Sequence, residues 1–186
     1  MSASDTQISR FLSLVLRHKP ETIGLALDPH GWADVRELLQ KSAEHGRPIS
    51  PETLARVVET NGKQRSTLYA ARRRIRANQG HSVSVELDLG ARVPPEHLFH
   101  GTAHRFIPSI RREGLARGQR HHVHLSADHA TATEVGRRHG KPTVLVVDAC
   151  GLHDAGQPFF LSANGVWLCE QVPASFLSLD GRRLTD

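Results

Sequence analysis

The sequence predicts an α+β protein of two lobes, the first led by helices and the second rich in strands. Three observations carry this expectation. Residues 5–60 place apolar side chains at helical spacing between clear start and stop signals. Beyond residue 81, short alternating or continuous apolar runs take over, without the regular βαβ rhythm of a doubly wound sheet. The charge divides in the same place: residues 1–80 hold 13 Lys and Arg against 8 Asp and Glu, and residues 81–186 hold 11 of each. We therefore set the boundary at residue 80.

Asp5 can cap a first helix, along which Ile8, Phe11, Leu12, Val15 and Leu16 share one face. It should stop at Lys19-Pro20, because Pro disfavours helical geometry in the residue before it. Arg17 and His18 then lie in the last turn, where the helix dipole favours cations. Taken alone, they read as a charge-stabilised helix end. Asp28-Pro29-His30-Gly31-Trp32 is a turn, and Val35, Leu38 and Leu39 mark a short second helix. Ser50-Pro51 starts a third, which Asn61-Gly62 ends. Ser66 to Ala77 reads as a β-hairpin. Three helices and a hairpin make a winged-helix lobe, residues 1–80, an arrangement frequent in nucleic-acid binding.

In the second lobe, residues 81–186, Val83, Val85 and Leu87 alternate as in a half-buried strand. Leu98 to Thr102 is a strand running into a turn, and Phe106, Ile107 and Ile110 mark a short helix closed by Gly114. Asp128 to His139 is helical, with Gly140 at its end. Thr143 to Val147 is a buried strand. Phe159 to Leu161 and Val166 to Leu168 form a hairpin around Asn164-Gly165. Neither a GxGxxG nor a GxxxxGK[ST] loop is present.

The bulk composition, 38% hydrophobic and 23% charged, suffices for a core. No apolar run approaches the roughly 18 residues of a membrane span, and the N-terminus shows no secretory signal, so we expect a cytoplasmic monomer without a membrane partner. Cys150 and Cys169 give no disulfide framework and read as buried free thiols. The surplus positive charge of the first lobe favours a polyanion, though on charge alone a merely solvated surface explains it equally well.

The chain has 13 histidines, three of them in His121-His122-Val123-His124. His122 and His124 would share a strand face, and His100 or His139 could add a third zinc ligand, but neither HExxH nor a cysteine at ligand spacing occurs, so no metal is expected. Scattered carboxylates form no general acid–base pair. What recurs is Arg and His beside Gly, Ser, Thr and Asn. That set suits phosphate: Arg offers a bidentate fork and His a proton or hydrogen bond.

Six motifs then occur in order: Leu16-Arg17-His18-Lys19-Pro20, Lys63-Gln64-Arg65, Ile75 to Ser82, Phe99-His100-Gly101-Thr102, Arg120 to Ser126, and Asn164 to Leu168. Together they resemble the NAD-dependent RNA 2'-phosphotransferase family, the KptA-like proteins, from about residue 7 to about residue 177. The resemblance implies a winged-helix lobe joined to a C-terminal lobe of the ADP-ribosyltransferase fold. It implies removal of an internal RNA 2'-phosphate, such as a tRNA splice junction carries, onto NAD as co-substrate. An ADP-ribosylated RNA phosphate would form first. Transesterification would then release ADP-ribose 1'',2''-cyclic phosphate.

The family's catalytic group falls on Arg17, His18, Arg65 and Arg120. NAD contacts fall on His100, Gly101, Thr102 and Ser126. RNA contacts are expected at Lys19, Arg72, Arg73, Arg74 and Arg76, the arginines forming a wing along the RNA backbone, with Asn78 and Gln79 facing the same cleft. Two departures from the family pattern stand out: Ala70 to Arg74 replaces an Asp-Gly-type turn, and Cys169 and Gln171 replace polar or acidic residues after the Trp. An ADP-ribosyltransferase that caps nucleic-acid phosphate ends would use the same residues. A winged-helix binder without catalysis is the alternative from another class, and the presence of all four catalytic residues argues against it.

Overall fold

The first half of the chain is organised on α1 (Ala3–Arg17), whose apolar stripe is buried at Phe11, Leu12, Val15 and Leu16. Each such side chain contributes about 1.5–3 kcal/mol relative to an exposed position. In this computed structural model, which describes residues 3–69, 71, 73–87 and 89–185, the chain divides into two compact units, Met1–Asp88 and Leu89–Asp186. Both helices and small antiparallel sheets are present, so the protein is α+β.

The first unit continues with β1 (Trp32–Asp34), α2 (Val35–Glu44), α3 (Pro51–Glu59), β2 (Ser66–Tyr69) and β3 (Arg74–Ala77). Asp34 caps α2 by accepting from Glu37 N, and Ser50 caps α3 by accepting from Thr53 N. The three strands form one antiparallel sheet in the order β1-β3-β2. Ala33, Ile75 and Ala77 are buried beneath it with α1 and with Leu38, Leu54 and Val57 of α2 and α3.

Two expectations for this unit need correction. Asp5 is not the cap of α1. The helix begins at Ala3, and Asp5 sits buried in its first turn, where it accepts a 2.6 Å bond from Arg56 Nη1 of α3. The alternating Val83, Val85 and Leu87 do not form a strand. Ser82 N and Val83 N donate to Arg17 O, and Glu86 N donates to Pro29 O, so this backbone is satisfied by a helix end and a turn. Val85 is buried beside Gly31. The segment packs in the first unit and opens no sheet of the second.

The second unit runs β4 (His97–Ala103), α4 (Ile107–Glu113), β5 (Leu115–Ala116), β6 (Val123–Leu125), α5 (His129–Arg137), β7 (Pro142–Asp148), α6 (Ala149–Asp154), β8 (Phe160–Leu161), β9 (Trp167–Cys169), β10 (Gln171–Val172), β11 (Leu177–Leu179) and β12 (Arg182–Arg183). One antiparallel sheet has the order β12-β11-β7-β4, a second the order β6-β9-β8, and β10 pairs with β5. Phe99 of β4 exchanges both backbone bonds with Ser126, at 2.9 and 2.8 Å, which ties the first sheet to the end of β6. Leu98, Leu145, Val147, Phe159 and Leu177 form the core.

Helix α5 lies on β4 backbone to backbone. A Cβ on Gly101 would fall 1.7 Å from Ala132 O, and one on Gly136 would fall 2.7 Å from Thr102 O. Asp148 ends β7 and caps α6 by accepting from Gly151 N at 2.9 Å. Both cysteines are free. Cys169 is buried, which pushes its thiol up to about 12. Cys150 is exposed at the start of α6, which corrects the expectation of two buried thiols. The negative charge of Asp154 raises its pKa. Among the described residues no helix is long and apolar enough to cross a membrane.

Candidate active site

The end of α1 and the start of β2 bring three of the four expected catalytic residues into one hydrogen-bonded set. Arg17 reaches across with Nη2 to donate to Arg65 O at 2.9 Å. The same carbonyl accepts from Asn78 N at 3.0 Å. Arg65 in turn donates from Nη1 to Ser9 Oγ at 3.4 Å, and Asn61 Nδ2 donates to that hydroxyl at 2.9 Å. His18, exposed one residue beyond α1, has Nδ1 3.0 Å from Ser82 Oγ, while Ser82 N holds Arg17 O at 2.8 Å. These partners are carbonyl and hydroxyl groups, which orient the cations. Two guanidiniums and an imidazole so held suit an anionic oxygen cluster.

Gln64, directly before Arg65, has φ +40°. A non-glycine residue in that region costs of order 1–3 kcal/mol and persists only where its surroundings impose it. Asn78 imposes it: Nδ2 donates to Gln64 O at 2.6 Å, and Oδ1 accepts from Thr67 Oγ1 at 2.6 Å. Asn78 was expected to face a cleft. It is instead buried, its amide engaged inside the hairpin, and its function is to fix the turn that presents Arg65. Ser9, Asn61, Asn78 and Ser82 are thus positioning residues that sequence reasoning missed. The available signals were a serine inside the apolar stripe of α1 and an asparagine read only as a helix stop.

The second unit holds Arg120, His100 and Ser126 by a separate logic. His100 shares a face of β4 with buried Leu98 and Thr102, opposite the face that α5 covers. Its Nδ1 lies 3.1 Å from His124 O. A carbonyl only accepts, so Nδ1 carries the proton and Nε2 of the neutral ring is an acceptor. Burial lowers the His100 pKa, and the charges of His139 and Arg120 lower it further, against the His124 bond. The ring therefore stays neutral at physiological pH. Arg120 lies in the exposed loop before β6, with Nη1 3.4 Å from His124 Nδ1. Ser126 faces Phe99, next to His100 in sequence. Gly101 owes its missing side chain to α5, and Thr102 is buried.

Of the expected RNA contacts, Arg72 lies outside the described residues. Lys19 and Arg73 are exposed. Arg74 pairs with Asp28, whose carboxyl burial pushes up but whose bonds from Trp32 N and His30 N, with Arg74, hold below its ordinary value. Arg76 stacks over the Trp32 ring, 4.5 Å from its centroid. Trp167 packs on the core of the second unit, and His122 packs edge-on against Phe160. Among the described residues no group of three or more His, Cys, Asp or Glu could hold a metal ion.

The sequence was also compared with known proteins. The profile described as "RNA 2'-phosphotransferase, Tpt1 / KptA family" matches residues 3–171. A "Probable RNA 2'-phosphotransferase" of Hahella chejuensis is 54% identical over 171 residues, covering 92% of each chain. One from Agrobacterium fabrum is 54% identical over 174 residues, 94% of each chain. One from Streptomyces griseus is 52% identical over 182 residues, 94% of this chain and 96% of its own.

Proposed function

Because the chain belongs to the RNA 2'-phosphotransferase, Tpt1 / KptA, family and is an enzyme of that class, we propose that it transfers an internal RNA 2'-phosphate to NAD. NAD supplies an anomeric carbon with nicotinamide as a leaving group that departs neutral. In the first step an oxygen of the RNA 2'-phosphate bonds to C1'' of the nicotinamide ribose as the bond to nicotinamide breaks. In the second step the ribose 2''-hydroxyl attacks phosphorus. The bond from phosphorus to the RNA 2'-oxygen breaks, and that oxygen takes up a proton. The products are RNA with a 2'-hydroxyl, nicotinamide and ADP-ribose 1'',2''-cyclic phosphate.

The first step neutralises a charge already on the leaving group, so it needs positioning more than acid catalysis. The second builds negative charge at phosphorus, which oriented donors stabilise. We assign Arg65 and Arg120 to the phosphate, Arg17 to their support and His18 to donation toward the phosphate or the departing ribose oxygen. The observation that carries this is the Arg17–Arg65–His18 set, oriented by carbonyls and hydroxyls. His100 fits a ribose hydroxyl, because its neutral ring presents Nε2 as an acceptor. Gly101, Thr102 and Ser126 would complete the NAD contacts through β4 and its bridge. Helices α1–α3 and the sheet β1-β3-β2 support a winged-helix, RNA-binding reading of the first unit. The strand-rich second unit supports the ADP-ribosyltransferase-like, NAD-binding one. A tRNA splice junction is the substrate class that carries such a phosphate.

The test is incubation of the protein with a short RNA bearing one internal 2'-phosphate, with and without NAD. We expect loss of the phosphate only with NAD, one nicotinamide being released per phosphate lost. A folded, NAD-binding protein that leaves the phosphate in place would refute the proposal.

A further inference from the structure

One face of the first unit's sheet carries a cluster that the phosphotransfer chemistry does not use. The register places Trp32 opposite Arg76, Thr67 opposite Arg76, and Tyr69 and Asp34 opposite Arg74. Cross-strand partners share a face, so these six side chains lie on the side away from buried Ala33 and Ile75 and partly buried Leu68. Arg76 stacks over Trp32 at 4.5 Å and Arg74 at 5.5 Å, and the Tyr69 ring is tilted 5.7 Å from Trp32. Asp28 pins Arg74, and Arg76 Nη1 donates to Leu87 O at 3.5 Å.

Tyr69 is 63% exposed, while Trp32 is half-buried under its arginines. An exposed aromatic on a strand costs solvation without filling a core, and it is the large apolar side chain this face leaves in solvent. The occupant it fits is set by charge. The cations here are arginines already ordered by stacking, with exposed Arg73 beside them, on a unit whose residues 1–88 hold 13 Lys and Arg against 10 Asp and Glu. Aromatic rings interleaved with arginine are the composition that stacks bases of single-stranded nucleic acid.

We propose that Tyr69, flanked by Arg74 and Arg76, is a stacking site for an unpaired nucleobase of the RNA substrate, close to but distinct from the nucleotide bearing the 2'-phosphate. The inference rests on the function proposed above for the location of that phosphate. Arg65 directly precedes β2, and at about 3.3 Å per residue Tyr69 lies about 13 Å along the strand. A base on Tyr69 therefore belongs to a flanking nucleotide.

The experiment compares wild type with Tyr69→Ala, Tyr69→Phe and Tyr69→Trp. The first readout is fluorescence anisotropy with a single-stranded oligoribonucleotide that lacks any 2'-phosphate. Tyr69→Ala should weaken binding about five- to a hundred-fold, the range for loss of one stacked base. Tyr69→Phe and Tyr69→Trp should retain it. The second readout is turnover of a 2'-phosphorylated dinucleotide against a longer single strand, where Tyr69→Ala should lose kcat/KM only on the longer RNA. Unchanged anisotropy for a folded Tyr69→Ala variant would overturn the proposal, as would equal losses on both substrates. Absence of turnover by wild type, with anisotropy still lost in Tyr69→Ala, would sink the phosphotransferase reading and leave the stacking site standing.

Discussion

At the residue scale, Arg65 joins two roles. Its guanidinium is assigned to phosphate, and its carbonyl anchors both Arg17 and Asn78. Only the side-chain role disappears on substitution, so Arg65→Ala should keep its fold and lose the second chemical step. The same holds for Arg120→Ala in the exposed loop before β6. Removing one such donor typically costs about 10²–10³ in rate. We expect RNA joined to ADP-ribose to accumulate in both variants, visible by denaturing electrophoresis. A loss confined to NAD affinity would remove these arginines from the phosphate. The identities of Arg17, His18 and Arg65 were legible from short motifs. The residues that orient them were not, because Ser9, Asn61 and Ser82 act through contacts 52 to 64 positions apart, and Asn78 reaches across the hairpin to Gln64, 14 positions away. Local spacing does not encode such distances.

At the element scale, the β4–α5 contact is the tightest constraint of the second unit. Gly101 and Gly136 remove the two side chains that would hold helix and strand apart. Gly101→Ala places a methyl group into Ala132 O, and neither backbone yields cheaply. We expect a loss of about 3 kcal/mol, the upper end of overpacking penalties, read as a lowered denaturation midpoint in urea. A neutral Gly101→Ala would show that α5 can move off the sheet. Helices α1, α2, α3 and α5 were legible from their apolar stripes, with Ser50-Pro51 marking the start of α3, although the cap read at Asp5 of α1 was wrong. Of the short elements, α4 and the β8–β9 hairpin were legible, and others were not. Strands β5, β10 and β12 have two residues each, too few for a period, and α6 hides behind a Gly that its Asp148 cap requires. Val83 to Leu87 misled for the opposite reason: it alternates, yet its backbone bonds go to Arg17 and Pro29.

At the scale of the whole molecule, burial gives folding stability a pH dependence. His100 and His122 both have folded pKa values lowered from 6.5, in each case chiefly by burial. Above pH 6.5 both rings are neutral in folded and unfolded chains, and they contribute no slope. As pH falls below 6.5 the unfolded chain takes up protons first, so stability drops until the folded rings protonate. Urea midpoints at pH 7.5 and 5.5 should show this loss, and His100→Gln should show a smaller one. An equal loss in both would assign the dependence to other groups. The charge division read at residue 80 does not survive the structure's boundary, because Glu86 and Asp88 belong to the first unit and leave residues 1–88 with 13 Lys and Arg against 10 Asp and Glu. The fate of the transferred phosphate can be followed directly. An RNA carrying a ³²P-labelled internal 2'-phosphate is incubated with NAD and the products are separated. The account predicts that all released label is in ADP-ribose 1'',2''-cyclic phosphate; label released as inorganic phosphate, or without NAD, would contradict it.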